Sequence, residues 1–243
     1  MPRPLLEIAA NSLASAEAAQ AGGADRIELC TALEAGGLTP SPGLVELVRE
    51  RLRIPVHVLV RPRAGDFAYA AGERETMLRD LEFCRRAGCD GVVLGALTPD
   101  GEVDVALCRE LVAAAGAMDV TFHRAIDVCR DPDRALEDIV ALGCRRVLSS
   151  GGARSAMQGA DTLRRLVDRA GGRIVVMPGA GIDAGNLAAL RARTGAHEFH
   201  ASAKRALPSA MRHAPAVALD MDAGETRSDA DEVRRLVEAL HRA

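Results

Sequence analysis

The sequence predicts an α/β protein, a single-domain (β/α)8 TIM-type barrel over residues 1–203, with an irregular C-terminal arm and terminal helix over 204–243. Three observations carry this reading. Eight β-type runs alternate with helical patterns through the first 203 residues, as in a parallel sheet with helical crossovers. The first run leads into Asn11-Ser12, not into the Gly-rich turn that usually opens a dinucleotide-binding sheet. Four turns also share one pattern: Gly23-Ala24-Asp25-Arg26-Ile27, Gly88-Cys89-Asp90-Gly91-Val92, Gly143-Cys144-Arg145-Arg146-Val147 and Gly195-Ala196-His197-Glu198-Phe199. In each, a glycine able to cap a helix in the left-handed conformation precedes a small residue and an apolar strand start. Recurrence before alternate strands fits a barrel built from paired units.

In chain order the strands fall at 5–10 (LLEIAA), 26–30 (RIELC), 56–61 (VHVLVR), 91–96 (GVVLGA), 119–124 (DVTFHR), 145–150 (RRVLSS), 174–179 (IVVMPG) and 197–202 (HEFHAS). Helical patterns lie near 12–22, 42–52, 73–87, 103–115, 132–142, 160–170 and 184–193. Over 204–227, Pro208, Pro215 and Gly224 interrupt any period, which predicts an irregular arm. From Asp229 to Ala243, Val233, Leu236 and Leu240 share one helical face. That helix is expected to pack on the barrel or on a neighbouring subunit. The 243 residues match the roughly 250 that one such barrel uses.

Composition removes several function classes. Lys+Arg 31 against Asp+Glu 34 gives a net charge of −3, so no basic excess exists to neutralise a duplex. Aromatic residues are 2% with no Trp, which leaves no platform for stacking bases. A nucleic-acid partner is therefore not expected. No uncharged apolar run reaches the roughly 18–20 residues of a membrane span, and Glu7 interrupts the N-terminal stretch before a signal-peptide core can form. A cytoplasmic location with no membrane partner follows as the expectation. The six cysteines form no C-x-x-C pair and read mainly as buried thiols. No organic cofactor is predicted.

The chemistry is read from strand parity. Both faces of a barrel strand are buried, so polar residues inside strands need a reason. Arg26, Glu28 and Cys30 alternate with Ile27 and Leu29; His57, Leu59 and Arg61 alternate with Val56, Val58 and Val60. Thr121 and His123 alternate with Val120 and Phe122, while Glu198, His200 and Ser202 flank Phe199; Glu7 joins them between Leu6 and Ile8. The apolar face suits the helix layer and the polar face the axis, whose C-terminal mouth is where this fold keeps its sites. Glu28, Arg61, His123 and Asp127 are the candidate catalytic residues: two carboxylates and an imidazole for proton transfer, one guanidinium for an anion. Arg63, Asp66, Arg124, Ser150, Gly151, Gly179, Gly181 and His200 are candidate substrate-binding residues, the glycines because their loops let backbone amides approach an oxyanion. The ligand expected from these is a small anionic or sugar-like molecule. Cys30 is the one thiol at a strand's C-terminal end, a candidate Cu(I) ligand with His123, His200 or Met177, or else a buried reduced cysteine.

Several blocks taken together resemble the CutC family. They are Glu28-Leu29-Cys30, Gly36-Gly37-Leu38-Thr39-Pro40-Ser41, Arg61-Pro62-Arg63 with Asp66-Phe67, and Thr121-Phe122-His123-Arg124-Ala125 with Asp127. Leu148-Ser149-Ser150-Gly151, Gly179-Ala180-Gly181 and Glu198-Phe199-His200 continue the match over roughly residues 5–203. The resemblance implies a (β/α)8 barrel, a cytoplasmic homodimer or homotetramer, and a role in copper homeostasis with Cu(I) as the bound ion. The residues themselves leave two other readings open. One is a lyase, isomerase or aldolase-type enzyme acting by proton transfer; the other is a non-catalytic scaffold.

Overall fold

Short polar side chains set where the helices begin. Ser12 accepts the Ser15 amide ahead of α1 (Leu13–Gly22), and Ser41 the Leu44 amide ahead of α2 (Pro42–Arg51). Glu73 accepts the Ala70 amide at the start of α3 (Ala71–Arg86). Asp104 caps α4 (Val105–Ala115), and Asp131 caps α5 (Pro132–Ala141). Such acceptors satisfy amides that the first helical turn leaves unpaired. After α6 (Ala160–Ala170) and α7 (Leu187–Thr194), Asp229 does the same for α8 (Ala230–Arg242). This computed structural model describes residues 3–213 and 224–242.

The strands are β1 (Leu5–Ala10), β2 (Arg26–Leu29), β3 (Val56–Leu59), β4 (Gly91–Leu94), β5 (Asp119–Phe122), β6 (Arg146–Ser149), β7 (Val175–Pro178) and β8 (Glu198–Ala201). All pair in parallel in the order β7-β6-β5-β4-β3-β2-β1-β8. The remaining seam, between β7 and β8, is joined by a parallel bridge from Gly179 to His200. A side chain at Gly179 would lie 2.5 Å from Leu148 and 3.4 Å from His200, so glycine is what lets the barrel close there. The fold is the (β/α)8 barrel that the alternation predicts.

Parity sorts the faces as expected. Ile27, Leu29, Val56, Val58, Val120, Phe122 and Phe199 join the main core under the helices. Cys30, Leu59 and Val93 form a separate apolar cluster, with Leu33 packed against it. Glu7, Arg26, Glu28, His57, Thr121, Arg146 and Glu198 are buried.

The segment after 203 departs from its reading in the arm, while its helix packs on the barrel. β9 (Lys204–Leu207) pairs antiparallel with β10 (Glu225–Ser228), so its ends form a ribbon where an irregular arm is expected. The ribbon is pinned to the start of α1: Asn11 Nδ2 donates to the Thr226 carbonyl at 2.8 Å, and the Ser228 amide donates to Ser15 Oγ at 3.1 Å. These tertiary bonds, not an apolar alternation, order it. Pro215 lies outside the described residues. In addition, α8 packs against α1, α7 and β1, taking the place of the barrel's eighth helix. Val233, Leu236 and Leu240 are its buried face. Gly22 allows the close approach, since a side chain there would meet Val233 at 2.5 Å.

Candidate functional site at the barrel mouth

The axis holds a buried ion network. Arg26 Nε donates to Glu7 Oε2 at 2.5 Å and its Nη2 to Glu198 Oε2 at 2.9 Å. Arg146 Nε reaches the same Glu198 oxygen at 3.1 Å, and its Nη1 reaches Asp119 at 3.3 Å. The other oxygen of Glu7 contacts His200 Nδ1 at 2.8 Å. Burial works against the Glu7 charge, but Arg26 and His200 outweigh it and hold its carboxyl well below the usual range. Burial likewise works against a charge on His200, while Glu28 and Glu7 raise its pKa.

Above this layer opens a cavity of about 350 Å³, near the small end of ligand pockets. Glu28, Arg61, His123, Arg124, Gly181 and His200 line it, with Leu33, Leu59, Phe67, Leu148 and Ile182 as apolar wall. Glu28 Oε2, Arg61 Nε and His123 Nε2 are buried and have no hydrogen-bond partner among the described residues. Orphaned buried polar atoms are costly, and these three belong to residues that line one cavity.

Each is held by local structure. Arg61 gives Nη1 to the Ala35 and Gly37 carbonyls at 2.8 and 3.0 Å, and Nη2 to the Gly65 carbonyl at 2.9 Å. Phe67 lies under the guanidinium, 5.0 Å from centroid to Cζ. The Gly36-Gly37 pair turns with φ of +84 and +87, and a side chain at Gly37 would strike Leu59 at 2.7 Å. Thr39 Oγ1 accepts the Arg61 amide at 2.9 Å. The Gly36–Ser41 block is thus the cradle of Arg61 and, through Ser41, the cap of α2.

His123 accepts the Ala125 amide on Nδ1 at 3.2 Å, which leaves the proton of the neutral ring on Nε2. Burial and the nearby Arg61 lower its pKa to about 3. Near neutral pH it is therefore an uncharged ring whose Nε2–H is free to donate. Burial raises the Glu28 carboxyl to about 7, and the Glu7 charge adds to this.

Deeper in, His57 is lowered by burial to about 4. Both folded values lie below that of a free imidazole, so the stability these rings permit is present above pH 6.5 and lost as pH falls toward 4. Each contributes about 1.4 kcal/mol per pH unit in that window, and Glu28, raised in the folded state, offsets one of them. Thermal melts at pH 7, 6 and 5 should show the net loss, with a shallower slope for His123→Asn. An unchanged slope would mean that His123 titrates normally.

The other candidates are placed differently. Asp127 Oδ1 accepts from Ser149 Oγ at 2.6 Å, the Ser150 amide at 3.0 Å and the Gly152 amide at 3.1 Å. Its Oδ2 accepts Arg124 Nε at 2.8 Å and Ser150 Oγ at 2.9 Å. Asp127 and Ser150 thereby fix the loop after β6 and aim Arg124, without lining the cavity themselves. Gly151 packs in the same loop, where a side chain would strike the Gly159 carbonyl at 2.4 Å. Arg63 pairs with Asp66 at 2.8 Å and Glu73 at 2.5 Å, so Arg63 and Asp66 tie down the β3–α3 loop outside the cavity. Gly179 serves the seam, whereas Gly181 reaches the cavity with φ +66. Sequence reasoning assigned no ligand role to Phe67, Ser202 or Lys204, all of which line it.

A model of the CutC family matches residues 4–205. The chain is 59% identical over 235 residues to a CutC family protein of Xylella fastidiosa strain Temecula1, covering 97% of this chain and 88% of the relative. It is 56% identical over 238 residues to one from Xanthomonas axonopodis pv. citri, with 98% and 99% covered. The chain belongs to the CutC family. A solved CutC from Streptococcus agalactiae, named for a provisional role in copper homeostasis, superposes with a TM-score of 0.79 at 30% identity, covering 82% of this chain and 98% of that one. A thiamine phosphate pyrophosphorylase from Pyrococcus furiosus superposes at TM-score 0.61 and 13% identity, over 98% and 96% of the two chains; that likeness shows the fold alone.

For a CutC chain the donor chemistry must be tested against Cu(I), which favours soft thiolate or thioether ligands. Cys30 is fully buried among Leu33, Leu59 and Val93 and is not part of the cavity wall. Burial, with Glu28 and Glu34 nearby, pushes its thiol well above the ordinary range. Met177 Sδ lies 3.4 Å from the Arg26 guanidinium, whose charge opposes a cation there. Among the described residues the one cluster with metal-ligand spacing is Glu7, Glu28 and His200, a hard-donor set whose Glu7 already serves Arg26 and His200. These residues do not fit Cu(I).

Proposed function

We propose that this CutC-family chain is a barrel enzyme that moves a proton on a small anionic substrate at the C-terminal mouth. The observation that carries the reading is the trio of buried, partnerless atoms, Glu28 Oε2, Arg61 Nε and His123 Nε2, in residues lining one cavity. A carboxyl poised near neutrality suits general acid–base work. Arg61, held by carbonyls and, among the described residues, by no carboxylate, keeps its charge for a substrate anion. Neutral His123 donates Nε2–H to the oxygen on which negative charge develops. His200, on Glu7, lines the cavity with Glu28, their polar atoms within 4.8 Å, and can relay the proton.

The test is hydrogen exchange. Small phosphorylated and carboxylated hydroxy- and oxo-compounds, incubated in D2O with the protein, should include one whose C–H signal is lost by NMR at a rate proportional to protein. Exchange should vanish in Glu28→Gln. A library without exchange, or exchange that survives this substitution, overturns the reading.

The copper association of the S. agalactiae relative yields a separate expectation. In an anaerobic titration against a strong Cu(I) chelator, this protein should compete weakly, and Cys30→Ser should change the result little. Tight binding of one equivalent, lost in Cys30→Ser, would restore copper as the primary ligand with Cys30 as its anchor.

A further inference from the structure

The cavity has a second electropositive end that proton transfer alone does not require. β3 and β7 stand four places apart in the eight-stranded order, so they face each other across a closed barrel. Arg61 follows β3 and the Ala180–Ile182 turn follows β7, yet both line the same cavity. The space therefore spans the mouth. The β7 turn is rigidly set: Ala180 and Gly181 have φ of +82 and +66. The Ala180 carbonyl accepts the Ala156 amide at 2.9 Å, and the Gly181 carbonyl accepts Asn186 Nδ2 at 2.8 Å. The amides of Gly181 and Ile182 donate to no acceptor among the described residues. Ser202 and Lys204 follow β8, which borders β7, and line the same cavity, as does Arg124 from the loop after β5, midway between β3 and β7. Arg124 is partly neutralised by Asp127 at 2.8 Å, whereas Lys204 is exposed at the rim. Among the lining residues Glu28 is the one acid against Arg61, Arg124 and Lys204.

We infer that the substrate is a short bis-anion. A phosphate-class group sits at the Gly181–Ile182 amides and Lys204, a carboxylate-class group sits at Arg61, and the reacting carbon lies between them beside Glu28 and His123. This rests on the proton-transfer reading and adds the substrate class to it. Backbone amides with an ammonium suit a tetrahedral oxyanion. Arg61 has three of its N–H bonds committed to carbonyls and a buried, unpartnered Nε, so it has few donors left to offer, which suits a smaller anion. The apolar wall of Leu59, Phe67 and Leu148 leaves the middle of the ligand few polar partners beyond Glu28 and His123.

Calorimetric titration of the full-length protein at fixed ionic strength with 2-phosphoglycolate, methyl phosphate and glycolate tests this. The bis-anion should bind at least about 10-fold tighter than either mono-anion, as one added charge-assisted contact implies. Lys204→Gln, an exposed substitution that keeps the fold, should weaken both phosphate probes by about 10-fold and leave glycolate unchanged. Arg61→Gln should weaken glycolate and the bis-anion and spare methyl phosphate; Lys204→Gln decides alone if that variant does not fold. Glycolate binding as tightly as the bis-anion, or phosphate affinity indifferent to Lys204→Gln, overturns the two-ended cavity. Either result leaves proton transfer to be judged by its own exchange assay. Failure of all three probes to bind also overturns the bis-anion, and Glu28-dependent exchange on a mono-anion of the library would then show that proton transfer stands without it.

Discussion

Glu28→Gln is expected to lower the exchange rate by about 100- to 10,000-fold, the usual worth of a general acid–base group, while making the protein more stable above pH 7. The two effects share one cause. Glu28 is buried, one of its oxygens lacks a partner, and burial with the Glu7 charge raises its carboxyl to about 7. The folded protein thus binds this proton more tightly than the unfolded chain does. Stability from Glu28 is full below about pH 4.5 and is lost as pH rises through 7. Above that, burying the charge costs about 3 kcal/mol, and the neutral amide of Gln removes the cost. Melting temperatures of the two proteins should therefore diverge between pH 5 and 7 and run parallel above. A loss of stability at every pH would instead make Glu28 a structural carboxylate, and retained exchange would remove it from the chemistry.

Strand alternation was enough to place Glu7, Arg26, Glu28, His57 and Thr121 on the axis, because a period of two leaves each side chain only two faces. It was silent on pairing. Which acid Arg26 takes depends on register between strands far apart in sequence: Glu7 lies opposite Arg26, but Glu198 joins only because β8 closes onto β1. Loops were less legible. Asp127 follows His123 by four residues, which invited a catalytic pair. Instead the 3-10 turn over Arg124–Val128 carries its carboxylate to the β6 loop. Arg63 looked as available as Arg61, yet Asp66 and Glu73 claim it through the local path of the chain. Lys204 stands just past the last barrel strand, and nothing in its neighbourhood of the sequence shows the ribbon that it opens.

The C-terminal segment shows the same division between local and distant information. Its helix was visible from three apolar residues at helical spacing, Val233, Leu236 and Leu240, and all three are buried. Its place beside α1 was not, since the match is made by what α1 lacks. Ala16, Ala19 and Gly22 give a flat buried surface, and small residues in one helix predict close packing without naming the partner.

Arg26→Met is expected to cost about 3–5 kcal/mol at pH 8, the range for removing one member of a buried ion pair. Arg26 is the bridge between two buried acids, at 7% side-chain exposure against 0% for Glu7 and 7% for Glu198. Glu198 retains Arg146, but among the described residues Glu7 retains only His200 as a hydrogen-bond partner, and it is the Glu7 charge that becomes expensive. With Arg26 present the Glu7 carboxyl is depressed, so the stability it confers exists above the unfolded value near 4.5 and is lost on acidification. Without Arg26, burial dominates and the sign reverses: protonation relieves the folded state, and the deficit should shrink between pH 8 and pH 5. Urea unfolding at the two pH values measures this. Adding Glu7→Gln to Arg26→Met should recover part of the loss, because the uncompensated charge leaves with its cause, whereas additive losses would show that Arg26 acts by packing alone. Recovery would also locate the ion network's purpose. A Glu7–Arg26 pair that can be made neutral without unfolding the barrel is there for the charge it sets beneath Glu28 and His200, and the double variant should then fold yet shift the pH dependence of exchange.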